Sequence, residues 1–195
     1  MPSPNAPGVP PALVGGDRNA TKAHVFREER DGRPVAVKTS AGRGFVARWL
    51  LRRESRLFAA MPPLDCVPRV LEARPDRVVT EWVDGTELFD LRLAGFTPEQ
   101  AAALERAVAE LHAAGFAHGD LGRHDVIFRA DGGVSLIDFA TGIGPGCPPL
   151  LWRILLPLWR RTDRGRVARL VARYRKLHDR GGRAERAAAS ATRGR

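Results

Sequence analysis

The segment "LHAAGFAHGDLGRHDVIF", from Leu111 to Phe128, decides the fold of this 195-residue chain. It begins in a helical pattern, passes through a polar loop that contains His118, Asp120 and Asp125, and ends in a short apolar run. The glycine at position 115 is typical of a helix end, and an apolar run after a loop is typical of a short strand. The segment therefore predicts two carboxylates, five residues apart, between a helix and a strand.

The elements on either side of this loop follow from equally local signals. "TPEQAAALERAVAELHAAG", residues 97–115, predicts a helix because Thr97 is a favourable N-cap and Pro98 suits the first helical position. After the loop, residues 126–129 and 134–137 predict a pair of strands around the turn "DGG". The following "LIDFATG" places Asp138 directly after the second strand. Carboxylates are thus expected at both ends of this strand pair.

The N-terminal half of the chain predicts a small mixed sheet with one helix. Two strands surround a turn at Asp31-Gly32, and two more surround a turn at Pro75-Asp76. Between them, Phe45 to Met61 has apolar residues at helical spacing. Lysine occurs only three times in the chain, and Lys38 stands in the apolar strand "PVAVK". We expect this ammonium to be held at the mouth of a cleft and to pair with Glu54 of the helix.

The ordered set Lys38, Glu54, Asp120, Asp125 and Asp138 contains the parts that phosphoryl transfer needs. A cation holds the nucleotide phosphates, carboxylates hold Mg²⁺, and one carboxylate faces the attacking hydroxyl. Lys38, oriented by Glu54, is the candidate for the phosphates, and Asp120 is the candidate for the hydroxyl. Asp125 and Asp138 are the candidates for Mg²⁺, which prefers carboxylate oxygens.

With "AVK", a helical Glu54, "HGDLGRHD" and "IDFATG" in this order, residues 35–142 resemble the protein-kinase-like fold. The "HGDL" form is similar to compact kinases, namely RIO-type kinases, bacterial lipopolysaccharide core (Kdo/heptose) kinases and aminoglycoside phosphotransferases. The resemblance implies an α+β fold of two lobes, a small β-rich N-lobe and a reduced, mostly helical C-lobe, with ATP and Mg²⁺ as cofactors. It also makes "EWVDG" the hinge between the lobes, where backbone groups at Glu81 and Val83 meet the adenine.

The chain departs from this family pattern at three places. Asp125 stands where the family has a metal-binding Asn, which keeps an oxygen for Mg²⁺ but adds a negative charge. No G-x-G-x-x-G precedes Lys38, and the backbone of "GDRNAT" with Thr21 is the candidate to cover the phosphates. No activation segment follows "DFATG". Asp125 is compatible with an active kinase and also with a pseudokinase.

These residues favour an ATP- and Mg²⁺-dependent phosphotransferase that moves the γ-phosphate to a hydroxyl. A compact serine/threonine protein kinase is the first hypothesis, and a lipopolysaccharide core sugar kinase is the second, so the acceptor lies on a protein or on a lipopolysaccharide sugar. An aminoglycoside-type phosphotransferase ranks third, because the chain is short for the substrate lobe of that family. A regulatory, nucleotide-binding pseudokinase is the alternative to an active kinase, and a basic nucleic-acid-binding protein with a kinase-like core is the alternative from another class. Nucleic acid is not expected as the main partner, because only Tyr174 offers a stacking ring beside the basic C-terminal residues.

The same patterns predict how the chain is divided. Residues 1–14 are expected to form a disordered leader, 15–84 the N-lobe, 85–179 the C-lobe with its catalytic and metal loops, and 180–195 a basic disordered tail. Two helical stretches broken near Thr162-Asp163 are expected at the end of the C-lobe. His112 and His124 are expected at the surface or at helix caps. The resemblance to the protein-kinase-like fold implies that His118 supports the loop by packing beside Phe139.

The net charge of +10 comes almost wholly from arginine. The apolar segment "PLLWRILLPLW", residues 149–159, is too short to cross a bilayer and contains Arg153. We expect a cytoplasmic protein, and two interpretations of this segment stay open. Either it contacts an anionic membrane at the inner face, or its apolar residues pack as the last C-lobe helices while the arginines are solvated. Cys66 and Cys147 fit no metal-binding spacing.

Overall fold

A five-stranded antiparallel sheet carries Lys38 near its centre. In the computed structural model, residues 12–13, 23–91 and 96–193 are described, with side chains over 23–91 and 96–173. The strand order is β1-β2-β3-β5-β4. The strands are β1 (Ala12–Leu13), β2 (His24–Arg30), β3 (Arg33–Thr39), β4 (Val70–Arg74) and β5 (Arg77–Glu81). Strand β1 lies in the segment predicted to be a disordered leader and pairs with β2. Thr21 lies outside the described residues.

Both predicted strand pairs and the helix between them are present. Asp31 and Gly32, with φ of 51° and 72°, form the tight turn between β2 and β3. Positive φ at both turn residues matches the right-handed twist of the strands, which is why Asp-Gly is favoured there. Helix α1 (Phe45–Ala60) buries a face that includes Leu51, Glu54 and Phe58, and it ends before the double proline. The strands and the helix of the N-terminal half therefore form where the local sequence predicts them, but the sheet is antiparallel throughout, and the prediction of a mixed sheet is wrong.

A second, three-stranded sheet follows, with the order β6-β7-β8. Its strands are β6 (Thr86–Glu87), β7 (Val126–Phe128) and β8 (Val134–Leu136). Helix α2 (Pro98–Ala113) begins at Thr97, whose side chain accepts from the Gln100 N–H while the Gln100 side chain accepts from the Thr97 N–H. The helix and the β7–β8 hairpin confirm the prediction, whereas β6 has only two residues and carries no periodicity to predict it.

The C-terminal part corrects the prediction of two broken helices. A single helix, α3, runs from Pro149 to Arg193, through Thr162-Asp163 and across the segment predicted to be a disordered tail. Its buried residues Leu156, Asp163, Val167 and Val171 are seven, four and four residues apart and therefore lie on one helix face. Packing of this face maintains the helix through Pro157, which is exposed and whose missing N–H would otherwise favour a break. The alanine-rich sequence after residue 183 has high helix propensity.

The largest group of buried apolar residues joins helices α1, α2 and α3 to the second sheet. It includes Phe58 from α1, Leu104 from α2, Leu136 from β8 and Val167 from α3, with Phe139 from the loop after β8. The architecture is α+β, and it places the loops on both sides of the β7–β8 hairpin next to α1 and α3. Across the described ranges, no helix has the length and apolarity that a membrane span needs.

Candidate active site

Three of the predicted site residues form one ionic cluster. Lys38 Nζ lies 2.7 Å from Glu54 Oε2 and 2.7 Å from Asp138 Oδ1. Lys38 comes from β3, Glu54 from the buried face of α1, and Asp138 from the loop after β8. The Glu54 side chain is 1% exposed, whereas that of Asp138 is 36% exposed. Lys38 is thus held between a buried carboxylate and an accessible one, and the expected pairing with Glu54 is present.

The electrostatics of the cluster keep Lys38 charged. Burial alone would lower the pKa of Lys38, but the negative charges of Glu54 and Asp138 outweigh it and raise this pKa above its usual range. Lys38 therefore stays a cation at every physiological pH. A permanently charged ammonium next to an accessible carboxylate is suited to binding phosphates together with a metal ion.

Glu54 also connects helix α1 to the loop after β8. Its Oε1 atom accepts a hydrogen bond of 3.0 Å from the Phe139 N–H. The Phe139 ring is fully buried and packs edge-on against Phe58, with 5.4 Å between ring centroids. On another side it contacts His118 at 4.8 Å, which confirms the expected packing. The loop that carries Asp138 is thereby fixed to α1.

A backbone hydrogen bond joins the two segments that carry Asp125 and Asp138. The Ile137 N–H donates to the Asp125 carbonyl at 2.9 Å, which joins the residue before Asp138 to the start of β7. The Asp125 side chain accepts from the Gly122 N–H at 2.8 Å. Asp138 has a φ of 63°, a left-handed conformation that is uncommon for a residue other than glycine. Such conformations cluster at functional sites.

The donor set of these two residues fits Mg²⁺. Both offer carboxylate oxygens, and Mg²⁺ is commonly bound by one or two carboxylates together with substrate phosphates. Among the residues that the structure describes, no group of three or more His, Cys, Asp or Glu side chains could hold a metal ion by itself. A metal ion at Asp125 and Asp138 would therefore need phosphate oxygens to complete its coordination.

The backbone of the loop is held by a residue that the sequence analysis missed. Asp163 of α3 is fully buried and accepts from the N–H groups of His118 and Gly119, both at 2.8 Å. Its Oδ2 atom also lies 3.1 Å from His112 Nε2. His112 is buried in the last turn of α2, so of its two expected positions, surface or helix cap, the surface is wrong. A signal was available, since Asp163 is the single acidic residue between positions 139 and 178.

The glycine of "HGD" is required by close packing. Gly119 has a φ of 84°, and a Cβ atom at this position would lie 2.3 Å from Nε1 of Trp159. The same Trp159 Nε1 donates to the Thr141 carbonyl at 3.1 Å. His118, which is 1% exposed, lies 2.8 Å through Nε2 from the Ile137 carbonyl. These contacts place His118 in the packed interior rather than in reach of a substrate.

Asp120, the candidate for the attacking hydroxyl, is the most accessible carboxylate of the site. Its side chain is 61% exposed, and its Oδ1 atom lies 2.6 Å from Nη2 of Arg166 in α3. The sequence does not predict this ion pair, because helical periodicity does not indicate which arginine of α3 faces the loop. Helix α3 therefore contacts the loop both at its backbone and at its exposed carboxylate.

The residues predicted to bind adenine and to cover the phosphates are only partly described. Glu81 ends β5, and its N–H and side chain are both bonded to the backbone of Arg69, at 2.9 Å each. Val83 is half-buried in the segment between the two sheets. Thr21 lies outside the described residues. Adenine contacts at Glu81 and Val83, and phosphate contacts at Thr21, stay predictions.

Comparison with known proteins gives one family and two relatives. The RIO domain family matches residues 19–146. A "Probable SapB synthase" of Streptomyces coelicolor is 33% identical over 149 residues, which cover 62% of this chain and 16% of that protein. A "Probable bifunctional tRNA threonylcarbamoyladenosine biosynthesis protein" of Methanothermobacter thermautotrophicus is 29% identical over 145 residues, which cover 69% of this chain and 26% of that protein. The chain thus spans about a quarter or less of the length of these two relatives.

The match to the RIO domain covers well over half of the chain and includes β2 through to the loop after β8. It also includes the Lys38–Glu54–Asp138 cluster and the loop with Asp120 and Asp125. RIO domains are protein-kinase-like and use ATP, generally with Mg²⁺. On the matched residues and on the geometry that they form, this chain belongs to the RIO domain family of atypical kinases.

Proposed function

We propose that this protein transfers the γ-phosphate of Mg²⁺-bound ATP to a hydroxyl group. The ionic cluster of Lys38, Glu54 and Asp138, with Asp120 exposed in the neighbouring loop, is the observation that carries the proposal. Lys38, oriented by Glu54, binds the α- and β-phosphates. Asp120 accepts a hydrogen bond from the attacking hydroxyl.

Asp138 and Asp125 hold Mg²⁺ in this proposal, and the metal neutralises charge on the phosphates. The extra negative charge of Asp125 is then balanced by the metal. It would repel ATP without Mg²⁺, because Asp120, Asp125 and Asp138 surround the same phosphates. Nucleotide affinity is therefore expected to depend strongly on Mg²⁺.

For the acceptor we propose a serine or threonine hydroxyl of a protein. The exposure of Asp120 supports an acceptor that approaches from solvent on a larger molecule. A lipopolysaccharide core sugar is the alternative acceptor. Both are tested by supplying γ-labelled ATP with a protein extract or with purified lipopolysaccharide and following the label.

A second candidate function is a part in tRNA modification. It is favoured by the name of the archaeal relative and by the net charge of +10, which attracts nucleic acid. Measured tRNA affinity, with its salt dependence, tests it. Absence of binding at low salt would eliminate this candidate.

The first test of the proposed function is the melting temperature with and without ATP, at zero and at millimolar Mg²⁺. Nucleotide at 100 times its Kd stabilises a protein by about 2.7 kcal/mol, which gives a clear shift. A shift that requires Mg²⁺ supports the phosphotransferase. An equal shift without metal favours a nucleotide-binding pseudokinase, and no shift contradicts both. Asp120→Asn should retain the shift but lose phosphoryl transfer.

We also propose an anionic membrane surface as a partner, contacted through the first turns of α3. Leu150, Ile154 and Leu158 are 75%, 65% and 55% exposed and lie four residues apart, on one face of the helix. Arg153 and Arg161 are exposed beside them, and no acidic residue occurs from 139 to 162. An exposed apolar face with arginines and without acidic residues complements anionic lipid headgroups.

Helix α1 carries a second group of exposed apolar and basic residues. Its exposed residues Phe45 and Trp49 lie next to the exposed arginines 48 and 52. The two helices meet the same segment of chain, because Arg53 of α1 donates to the Gly142 carbonyl at 2.8 Å and Trp159 of α3 donates to that of Thr141. Aromatic rings among arginines are typical of a membrane interface.

Sedimentation with vesicles tests this surface. The full chain should bind vesicles that contain 30% phosphatidylglycerol and not vesicles of phosphatidylcholine alone. The double variant Ile154→Asp/Leu158→Asp should lose this binding, while Leu71→Asp, at an exposed apolar residue of β4, should retain it. Unchanged binding by the double variant would contradict the proposal. Self-association of the chain that the double variant abolishes would also contradict the proposal, because this face would then bind a second copy of the chain.

A further inference from the structure

Among the described side chains of α3, Arg166 contacts the exposed carboxylate of Asp120. Its Nη2 atom lies 2.6 Å from Asp120 Oδ1. A guanidinium has five N–H donors, and the Nε of Arg166 is buried without a hydrogen-bond partner among the described residues. Buried donors normally have a partner. The Arg166 side chain is also 36% exposed beside Asp120, so donors that Asp120 does not use can bind an anion at the place where the proposed reaction occurs.

The position of Arg166 is fixed by its own helix. Asp163, one turn earlier in α3, accepts from the N–H groups of His118 and Gly119. Residues three apart lie on the same helix face. Asp163 thus holds the backbone of the loop with its buried carboxylate. Arg166, one turn later, places its guanidinium against the next residue of the loop, Asp120.

The arginine of the loop itself is held elsewhere. The Arg123 guanidinium lies 4.4 Å from the centroid of the Phe89 ring, in a cation–π contact. His124 stacks on the same ring at 4.2 Å. Lys38, the other cation of the site, is bound between Glu54 and Asp138. Arg166 is consequently the cation that the described structure places at Asp120, where the phosphoryl group and the hydroxyl meet.

We propose that Arg166 binds the transferred γ-phosphoryl group, an inference that rests on the proposed phosphotransferase function. In the structure Arg166 pairs with Asp120. When ATP binds, the guanidinium donates to a γ-phosphate oxygen, and Asp120 becomes available to the acceptor hydroxyl. Arginine contacts of this kind stabilise charge that develops on the phosphoryl oxygens in the transition state.

The reaction balances without a further reactant. The hydroxyl oxygen forms a bond to the γ-phosphorus, and the bond from that phosphorus to the β–γ bridging oxygen breaks. The bridging oxygen keeps the electron pair and leaves as part of ADP. The hydroxyl proton passes to Asp120 and then to solvent, so the products are ADP, a phosphate monoester and one proton. Arg166 changes neither its charge nor its covalent structure.

Nucleotide affinity tests the proposal without knowledge of the acceptor. Kd values for Mg²⁺-bound ADP and for a non-hydrolysable ATP analogue are measured on the full chain and on Arg166→Met. Because the contact is to the γ-phosphate, the variant should bind the analogue about tenfold more weakly and ADP equally well. Arg166→Lys should recover part of the affinity, and Arg169→Ala, at the next exposed arginine, should match the unchanged chain.

The outcomes separate this inference from the function on which it rests. If the unchanged chain binds neither nucleotide, the proposed function fails first. If it binds both, and Arg166→Met binds the analogue as tightly as the unchanged chain does, Arg166 does not contact the γ-phosphate. An equal loss for ADP and the analogue also overturns the proposal, because it indicates a general structural role. Recovery of turnover in Arg166→Ala by millimolar free guanidinium would support it.

Discussion

At the residue scale, Asp163 of α3 holds the backbone of the loop next to Asp120, although it is not among the residues proposed to contact ATP or the acceptor. It accepts from two backbone N–H groups of the loop and is fully buried. Asp163→Asn keeps the size of the side chain but offers only one acceptor oxygen, so one buried N–H loses its partner. We expect the free energy of unfolding to fall by about 2 kcal/mol, measured by urea denaturation.

The matched control is Asp84→Asn. Asp84 accepts from Trp82 Nε1 at the surface, and the same chemical change there should alter stability by less than about 0.5 kcal/mol. Equal effects of the two substitutions would mean that the buried hydrogen bonds of Asp163 contribute no more than surface ones. In that case α3 would not be what holds the loop in place.

At the element scale, the helices and strands whose ends are specified locally are those that the sequence predicts. Thr97 and Gln100 cap α2 reciprocally, and Asp31-Gly32 closes the β2–β3 hairpin. The length of α3 was not predictable in this way, because its continuity through Pro157 depends on packing against distant residues. The same holds for Asp163 and Arg166, whose roles depend on which face of α3 meets the loop.

The reciprocal cap of α2 gives a prediction at this scale. Thr97→Ala removes the hydroxyl that accepts from the Gln100 N–H, and we expect a loss of about 1 kcal/mol in the free energy of unfolding. Thr162→Ala is the control, because that hydroxyl donates only within its helix, to the Leu158 carbonyl. A loss at Thr162 as large as that at Thr97 would contradict a capping effect.

At the scale of the whole molecule, the Lys38 cluster joins parts of the chain that are 16 and 100 residues apart. The sequence predicted its members from their order and their residue types, but not that Lys38 would contact both carboxylates. That arrangement depends on how the first sheet, α1 and the loop after β8 come together. The cluster therefore serves the stability of the fold as well as the proposed chemistry.

Replacement of Lys38 separates these two contributions by its pH dependence. Lys38→Met leaves the carboxylate of Glu54 buried without its cation, and we expect a loss of about 3 kcal/mol in the free energy of unfolding at pH 7. Burial raises the pKa of Glu54, and Lys38 opposes that rise. In the variant, folded Glu54 therefore holds a proton at a pH where the unfolded chain has lost it. The stability of the variant should increase as the pH falls from 7 toward 5.

The double variant Lys38→Met/Glu54→Gln decides whether this account is right. With no ionisable group left at position 54, the double variant should lack the gain in stability that Lys38→Met shows as the pH falls from 7 toward 5, and it should be more stable at pH 7 than Lys38→Met alone. Arg77→Met, which breaks the half-exposed pair with Glu28, should cost less than about 1 kcal/mol. A double variant with the same pH dependence as Lys38→Met would assign that dependence to another group. Glu54 would then not be the residue through which Lys38 stabilises the folded chain.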